Sequence, residues 1–177
     1  PTEKPIKGTQ EEVITPTGIK ANTQFKVIEA NDLITSIDTK FKENPDYLKE
    51  LQPRDRDKIT SINQIWVIYN TLDPEQLAGS RGADTGAPIV GSDKMVESGN
   101  GRAVAIKKLY EDGHVNGETY KAWLIENAER FGLNKGRVAK LNNPILVREN
   151  MTPMTEKERE DFAKDANTST TLVMSAG

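Results

Sequence analysis

The sequence contains no cysteine, and His114 is its only histidine. The first absence removes disulfides, thiolate metal sites and thiol nucleophiles; the second argues against a histidine-built metal centre and a Ser-His-Asp triad. Apolar runs are short. None approaches the ~20 residues that cross a bilayer, and the N-terminus shows neither a basic-then-apolar signal nor an Arg-rich transit pattern. The expectation is a cytoplasmic protein with no membrane partner. Charge of one sign is also missing, since 24 basic side chains face 27 acidic ones for a net charge of −3. That balance disfavours a whole-surface nucleic-acid binder and leaves only a local basic groove around Arg54, Arg56, Arg102 and Arg148. No pair of carboxylates stands at a spacing that calls for general acid and base catalysis.

The remaining composition is that of a polar globular chain: 35% hydrophobic, 29% charged and 6% aromatic, in 177 residues that fit one domain with a real core. The chain starts at Pro1 and stops at Gly177 with no helix stop or polar tail, which reads as a fragment of a longer polypeptide. Residues 1 to about 22 carry prolines and threonines with little periodicity and read as an arm or linker; the domain is expected over 23–177. Phe25-Lys26-Val27-Ile28-Glu29 alternates as a half-buried strand does, and residues 35 to 54 form a long loop punctuated by Asn44-Pro45 and Gln52-Pro53. Ile59, Ile62, Ile65, Trp66 and Tyr69 predict a helix over about 55–70 with one apolar face. Asp73-Pro74-Glu75 starts a short helix, and Pro88-Ile89-Val90 and Met95-Val96 flank a small hairpin. A helix over about 117–131 carries Tyr120, Trp123, Leu124, Ala128 and Phe131 on one stripe, and Ile145-Leu146-Val147-Arg148 is a short buried strand. Thr155 to Glu158 is a capping box that opens a helix through about Ala166. His114, after Gly113, reads as a solvated loop residue.

The stretch from Met95 to Tyr110 organises this pattern. A short strand ends at Glu97, Gly99-Asn100-Gly101 breaks it, and Arg102 opens an amphipathic helix with Val104, Ala105, Ile106, Leu109 and Tyr110 as its apolar positions. A helix start offers free N–H groups and partial positive charge, glycines let the main chain approach a ligand, and a guanidinium grips two oxygens at once. The combination is an anion pocket made of backbone and one cation. Its plain alternative is a tight turn whose arginine pairs with a surface carboxylate. Glu97 reads either as a base or metal ligand or as an exposed strand-end carboxylate; Asp84, near Gly86, is a weak candidate for lining the pocket, and Arg148, at the end of an apolar strand, reads as structural.

LQPRDR, GAPIVG, VESGNGRAVAI and NPILVRE, in that order and spacing, resemble the ParB/sulfiredoxin superfamily, and more closely the ddrB-like ParB domain of large phage and plasmid polyproteins. The resemblance implies an α/β (α+β) fold with a small curved mixed sheet surrounded by helices. It implies a nucleotide pocket between the QPR segment and the G-x-x-R loop, so that Ser98, Gly99, Asn100, Gly101 and Arg102 hold phosphates while Gln52 and Arg54 approach from the facing loop. The ligand would be a nucleoside triphosphate, CTP or ATP, and Asn167 would help hold Mg2+ through the phosphates. The sequence departs from those relatives: Asn100-Gly101 replaces the Glu-Arg of ParB and the Cys-His of sulfiredoxin, while Ala166 and Thr170 stand where ParB has its metal-binding glutamate and an arginine. The expected function is nucleotide binding in a mobile-element polyprotein, linked to antirestriction, with slow hydrolysis or phosphoryl transfer as its enzymatic form and DNA reached through other domains. Two rival readings are a DNA-binding or nuclease-like module and a ligand-free interaction scaffold.

Overall fold

The computed structural model describes residues 6–51 and 55–167, with the side chains of 55–61 excepted. Its centre is a mixed sheet of five strands in the order β1-β2-β5-β3-β4, an α/β fold as the sequence leads one to expect. The strands are β1 (Lys7–Ile14), β2 (Lys20–Glu29), β3 (Ile89–Val90), β4 (Val96–Ser98) and β5 (Pro144–Asn150). β5 runs antiparallel to β2 and parallel to β3, while β3 and β4 form the expected antiparallel hairpin.

β5 is buried along Pro144 to Arg148, as a strand covered on both faces requires. In β2 burial alternates, with Ala21, Thr23, Phe25 and Val27 turned inward. The N-terminal reading needs correction: residues 7–14 are no arm but a strand paired with β2, and Val13 is fully buried. What the low apolar content of KGTQEEVI concealed is that β1 is an edge strand whose exposed face needs no apolar side chains.

Among the described residues five α-helices surround the sheet: α1 (Asp55–Asn70), α2 (Asn100–Glu111), α3 (Val115–Asn127), α4 (Lys135–Ala139) and α5 (Glu156–Ala166). α2 packs on α1 through Val104, Ala105 and Ile65, with Ile37 from the loop before α1 closing the cluster. Trp66, assigned by spacing to the apolar face of α1, is instead 40% exposed and packs its edge against Phe41 and Tyr69. α3 is fixed to β5 by Tyr120, whose Oη accepts the Leu146 N–H at 2.9 Å. It begins two residues earlier than expected because His114 is its N-cap, Nδ1 accepting from Asn116 N–H at 3.0 Å. α5 carries the predicted capping box at Thr155 and Glu158 and sets Phe162 and Ala166 against Val13, Ala21 and Ile89.

Candidate functional site

The hairpin that delivers the glycine loop is irregular. Ile89 pairs with Ser98 and Val90 with Val96, so Glu97 is an extra residue in β4, a bulge that locally re-aims the strand. Gly99 follows with φ +95° and ψ +31°, a left-handed conformation that glycine adopts without penalty. α2 then starts at Asn100, two residues before the expected Arg102, so Asn100 and Gly101 lie in its first turn. As N-cap, Gly99 supplies no side-chain acceptor, and the first turn holds no acidic residue. The positive end of α2 therefore receives neither a side-chain cap nor a carboxylate from its own first turn.

Asn100 has structural work. Its Oδ1 accepts the Ser36 N–H at 2.8 Å and its Nδ2 donates to Tyr47 Oη at 3.2 Å. Tyr47 Oη donates in turn to Val96 O at 2.6 Å, and burial pushes this phenol up to about 12. Tyr47 also packs with Leu51, Met95 and Ala163, which ties the chain immediately before Gln52 to the strand that feeds the loop. Gln52 and Arg54, the expected opposite wall, lie outside the described residues.

Arg102 is 6% exposed and, among the described residues, forms no ion pair with a carboxylate. Its Nη1 donates to Asp84 O at 2.8 Å and its Nη2 to Ser98 Oγ at 3.3 Å, while Nε is buried with no partner among the described residues. A methyl group on Gly99 would sit 2.5 Å from Nη2 and 2.7 Å from Nε, so the guanidinium folds back over the glycine and fills the room left by its missing side chain. Burial pushes this guanidinium down to about 10, still charged at neutral pH, with the charge of Asp84 opposing the shift. Gly99 itself keeps partial exposure.

A second buried cation stands behind the first. Arg148, with no exposed surface, donates through Nε to Ala87 O at 2.8 Å, through Nη1 to Ser80 O at 2.8 Å and Gly82 O at 3.3 Å, and through Nη2 to Thr85 O. Burial lowers its proton affinity first, and the nearby Arg102 charge lowers it further. Arg102 and Arg148 therefore do not form the basic groove proposed from sequence: both are interior. The side chains of Arg54 and Arg56 lie outside the described residues.

Glu97 is not an exposed strand-end carboxylate. It is 3% exposed, accepts from Arg159 Nε at 2.7 Å and Asn150 Nδ2 at 3.2 Å, and desolvation raises its proton affinity. Arg159 also forks onto Asp93 at 2.9 and 3.0 Å, and these side chains line a cleft of about 380 Å3 with Asn150 and Met154. Arg159 has no sequence motif that marks it; only its place on α5 finds it. Asn167 caps α5 and donates through Nδ2 to Glu97 O at 3.0 Å and Ala163 O at 2.6 Å, so its amide nitrogen serves the fold. Among the described residues no group of three His, Asp or Glu side chains could hold a metal.

Ser98, Gly99, Asn100, Gly101 and Arg102 are thus brought together at one helix start, and Asn167 reaches the strand that enters it. A mixed five-stranded sheet with helices around it, and a bulged hairpin running through a left-handed glycine into α2, together define an α/β domain with a glycine-led helix start. Over residues 16–151 the chain matches the ddrB-like ParB superfamily domain, and it belongs to that family. The match leaves α5 and the whole of β1 outside its span. No curated protein and no solved structure matches the chain.

Proposed function

We propose that this ParB-like domain binds the phosphates of a nucleotide at the start of α2, with Gly99, Gly101 and Arg102 as the direct contacts. One observation carries the reading: a buried guanidinium with an unpartnered Nε lies over an uncapped helix N-terminus that has no carboxylate in its first turn. A charged donor buried without a partner costs on the order of 1–3 kcal/mol or more, and a phosphate oxygen is the acceptor that both the donor and the helix end favour. Ser98 and Asn100 shape the loop through their bonds to Arg102, Ser36 and Tyr47. The resemblance to ParB-like domains supports taking Gln52 and Arg54, from the segment after Leu51, as second-wall contacts and CTP or ATP as the ligand. Mg2+ would come with the phosphates, because the described protein donors do not assemble a cation site of their own.

No reaction step is assigned. Glu97, the buried carboxylate nearest in sequence to the loop, is held by Arg159 and Asn150. Calorimetric titration with CTP, ATP, ADP and GTP, with and without magnesium, tests the proposal. Heat with one of them that disappears in Arg102→Ala supports it. Silence with all four, or heat unchanged in Arg102→Ala, refutes it. Salt-dependent retention of DNA without nucleotide heat would move the assignment to a DNA-handling module.

A further inference from the structure

We infer that Arg148 is a positioning residue for the anion site: it grips the loop of residues 80–87 by its carbonyls, and that loop presets the Arg102 guanidinium. The inference rests on the phosphate-binding reading for its functional consequence, though not for its geometry. Six carbonyls of this one loop turn inward. Those of Ser80, Gly82, Thr85 and Ala87 accept from Arg148, that of Asp84 accepts from Arg102 Nη1, and that of Ala83 accepts from Ser98 Oγ at 2.8 Å. Ser98 Oγ also receives Arg102 Nη2, so both anchors that orient the Arg102 fork run through the same loop or its hydroxyl partner.

Without a cation at its centre, a loop with so many converging carbonyls would be electrostatically unfavourable, and among the described residues Arg148 is the side chain that donates to the carbonyls of Ser80, Gly82, Thr85 and Ala87. A lysine there carries the charge as one compact ammonium with three donors, and it cannot span the carbonyls of Ser80, Thr85 and Ala87 with a planar fork. The loop has its own brace, a 2.5 Å contact between Ser80 Oγ and Thr85 Oγ1, with Ser80 Oγ also accepting from Gly82 N–H at 3.2 Å. Arg148 touches no ligand in this scheme. It acts through Asp84 O, and it adds a second buried positive charge close enough to be felt at Arg102.

The experiment follows the Arg102 Nε–H resonance in 15N-labelled protein, unliganded and during titration with inorganic pyrophosphate. The proteins compared are wild type, Arg148→Lys, the milder Ser80→Ala and a core truncation in α3, Leu124→Ala, as a control for lost stability. The expected result is a displaced Arg102 resonance in unliganded Arg148→Lys and Ser80→Ala, and pyrophosphate affinity at least about tenfold weaker in Arg148→Lys, with Leu124→Ala like wild type in both. An Arg102 resonance unmoved in Ser80→Ala and in folded Arg148→Lys overturns the inference. So does equal weakening in Leu124→Ala. Failure of the wild type to bind pyrophosphate refutes the phosphate-binding reading instead, while the unliganded spectra still decide whether Arg148 sets Arg102.

Discussion

Single atoms decide most of what this site can do. Gly99 must lack a side chain twice over, since its φ is +95° and a Cβ would collide with Arg102 Nη2 and Nε. Gly99→Ala is therefore expected to cost about 1–2 kcal/mol from backbone handedness alone, to displace the guanidinium, and to abolish nucleotide heat. Denaturant melts and titration of the same variant check both parts, and wild-type affinity in Gly99→Ala would contradict them. Tyr47→Phe removes the hydroxyl that joins Asn100 to Val96 O, a loss of about 1–2 kcal/mol for a buried hydrogen-bonded pair. Its titration sets a second expectation. The phenol is raised from 10.0 to about 12 in the fold, so its contribution is complete below pH 10 and is lost as the pH climbs to about 12. Burial also raises Tyr110 and Tyr120, so stability should fall steeply in that alkaline range, less steeply in Tyr47→Phe. A flat pH profile from 9 to 12 would contradict the burial of these phenols.

Among the elements, α5 is the clearest case of a helix that both builds the fold and reaches the site. Arg159 holds Glu97 and Asp93, and Asn167 holds Glu97 O, so the helix grips the strand just before the glycine loop. Removing the guanidinium in Arg159→Ala strands a buried carboxylate, at a cost of about 3 kcal/mol. Glu97 already has its proton affinity raised by desolvation, so the neutral form is the one the fold tolerates without Arg159. The penalty should therefore shrink as pH falls toward the ordinary glutamate value, when Glu97 takes up a proton. Asp93 works in the opposite direction: burial opposes its ionisation, but Arg159 and the Met95 N–H prevail and hold its pKa below the usual value. Its stabilisation in the wild type is present above the unfolded value near 3.8 and lost as the pH drops through the folded one. Urea melts of both proteins from pH 7 down to below the Asp93 window check this, and a gap that widens as the pH falls toward the ordinary glutamate value would count against it. Sequence made α5 legible because a capping box is a local signal. It did not reveal Arg159, Glu97 burial or the Tyr47–Asn100 bond, which join residues 49 to 66 positions apart only after folding. For the same reason α2 begins at Asn100: a left-handed glycine is invisible in the hydrophobic period that located the helix at Arg102.

The whole molecule places two guanidinium charges in its interior beneath a polar surface. Net charge is −3, yet Arg102 and Arg148 sit inside with carbonyls and hydroxyls as partners. Composition could not show this, because a balance of charges says nothing about which ones are buried. The family-defining motifs were readable in order because each carries its own turn chemistry, and together they identified the ddrB-like ParB domain that the match over residues 16–151 bears out. β1 escaped notice because it buries Val13 and little else, yet it covers the β2 edge of the sheet. Removing residues 1–14 should lower the melting temperature by several degrees and promote self-association through the uncovered edge, measurable by calorimetry and sedimentation. An unchanged melting temperature and a monomeric truncation would show that β1 is dispensable.

A crystal of the protein soaked with a non-hydrolysable nucleoside triphosphate, CTP and ATP analogues in turn, puts the anion seat to its hardest test. Phosphate oxygens should appear within hydrogen-bond distance of Arg102 Nε and of the first amides of α2, with the Gly99 backbone in the conformation described above. Bound nucleotide with its phosphates elsewhere, or an empty α2 start at saturating ligand, would contradict it.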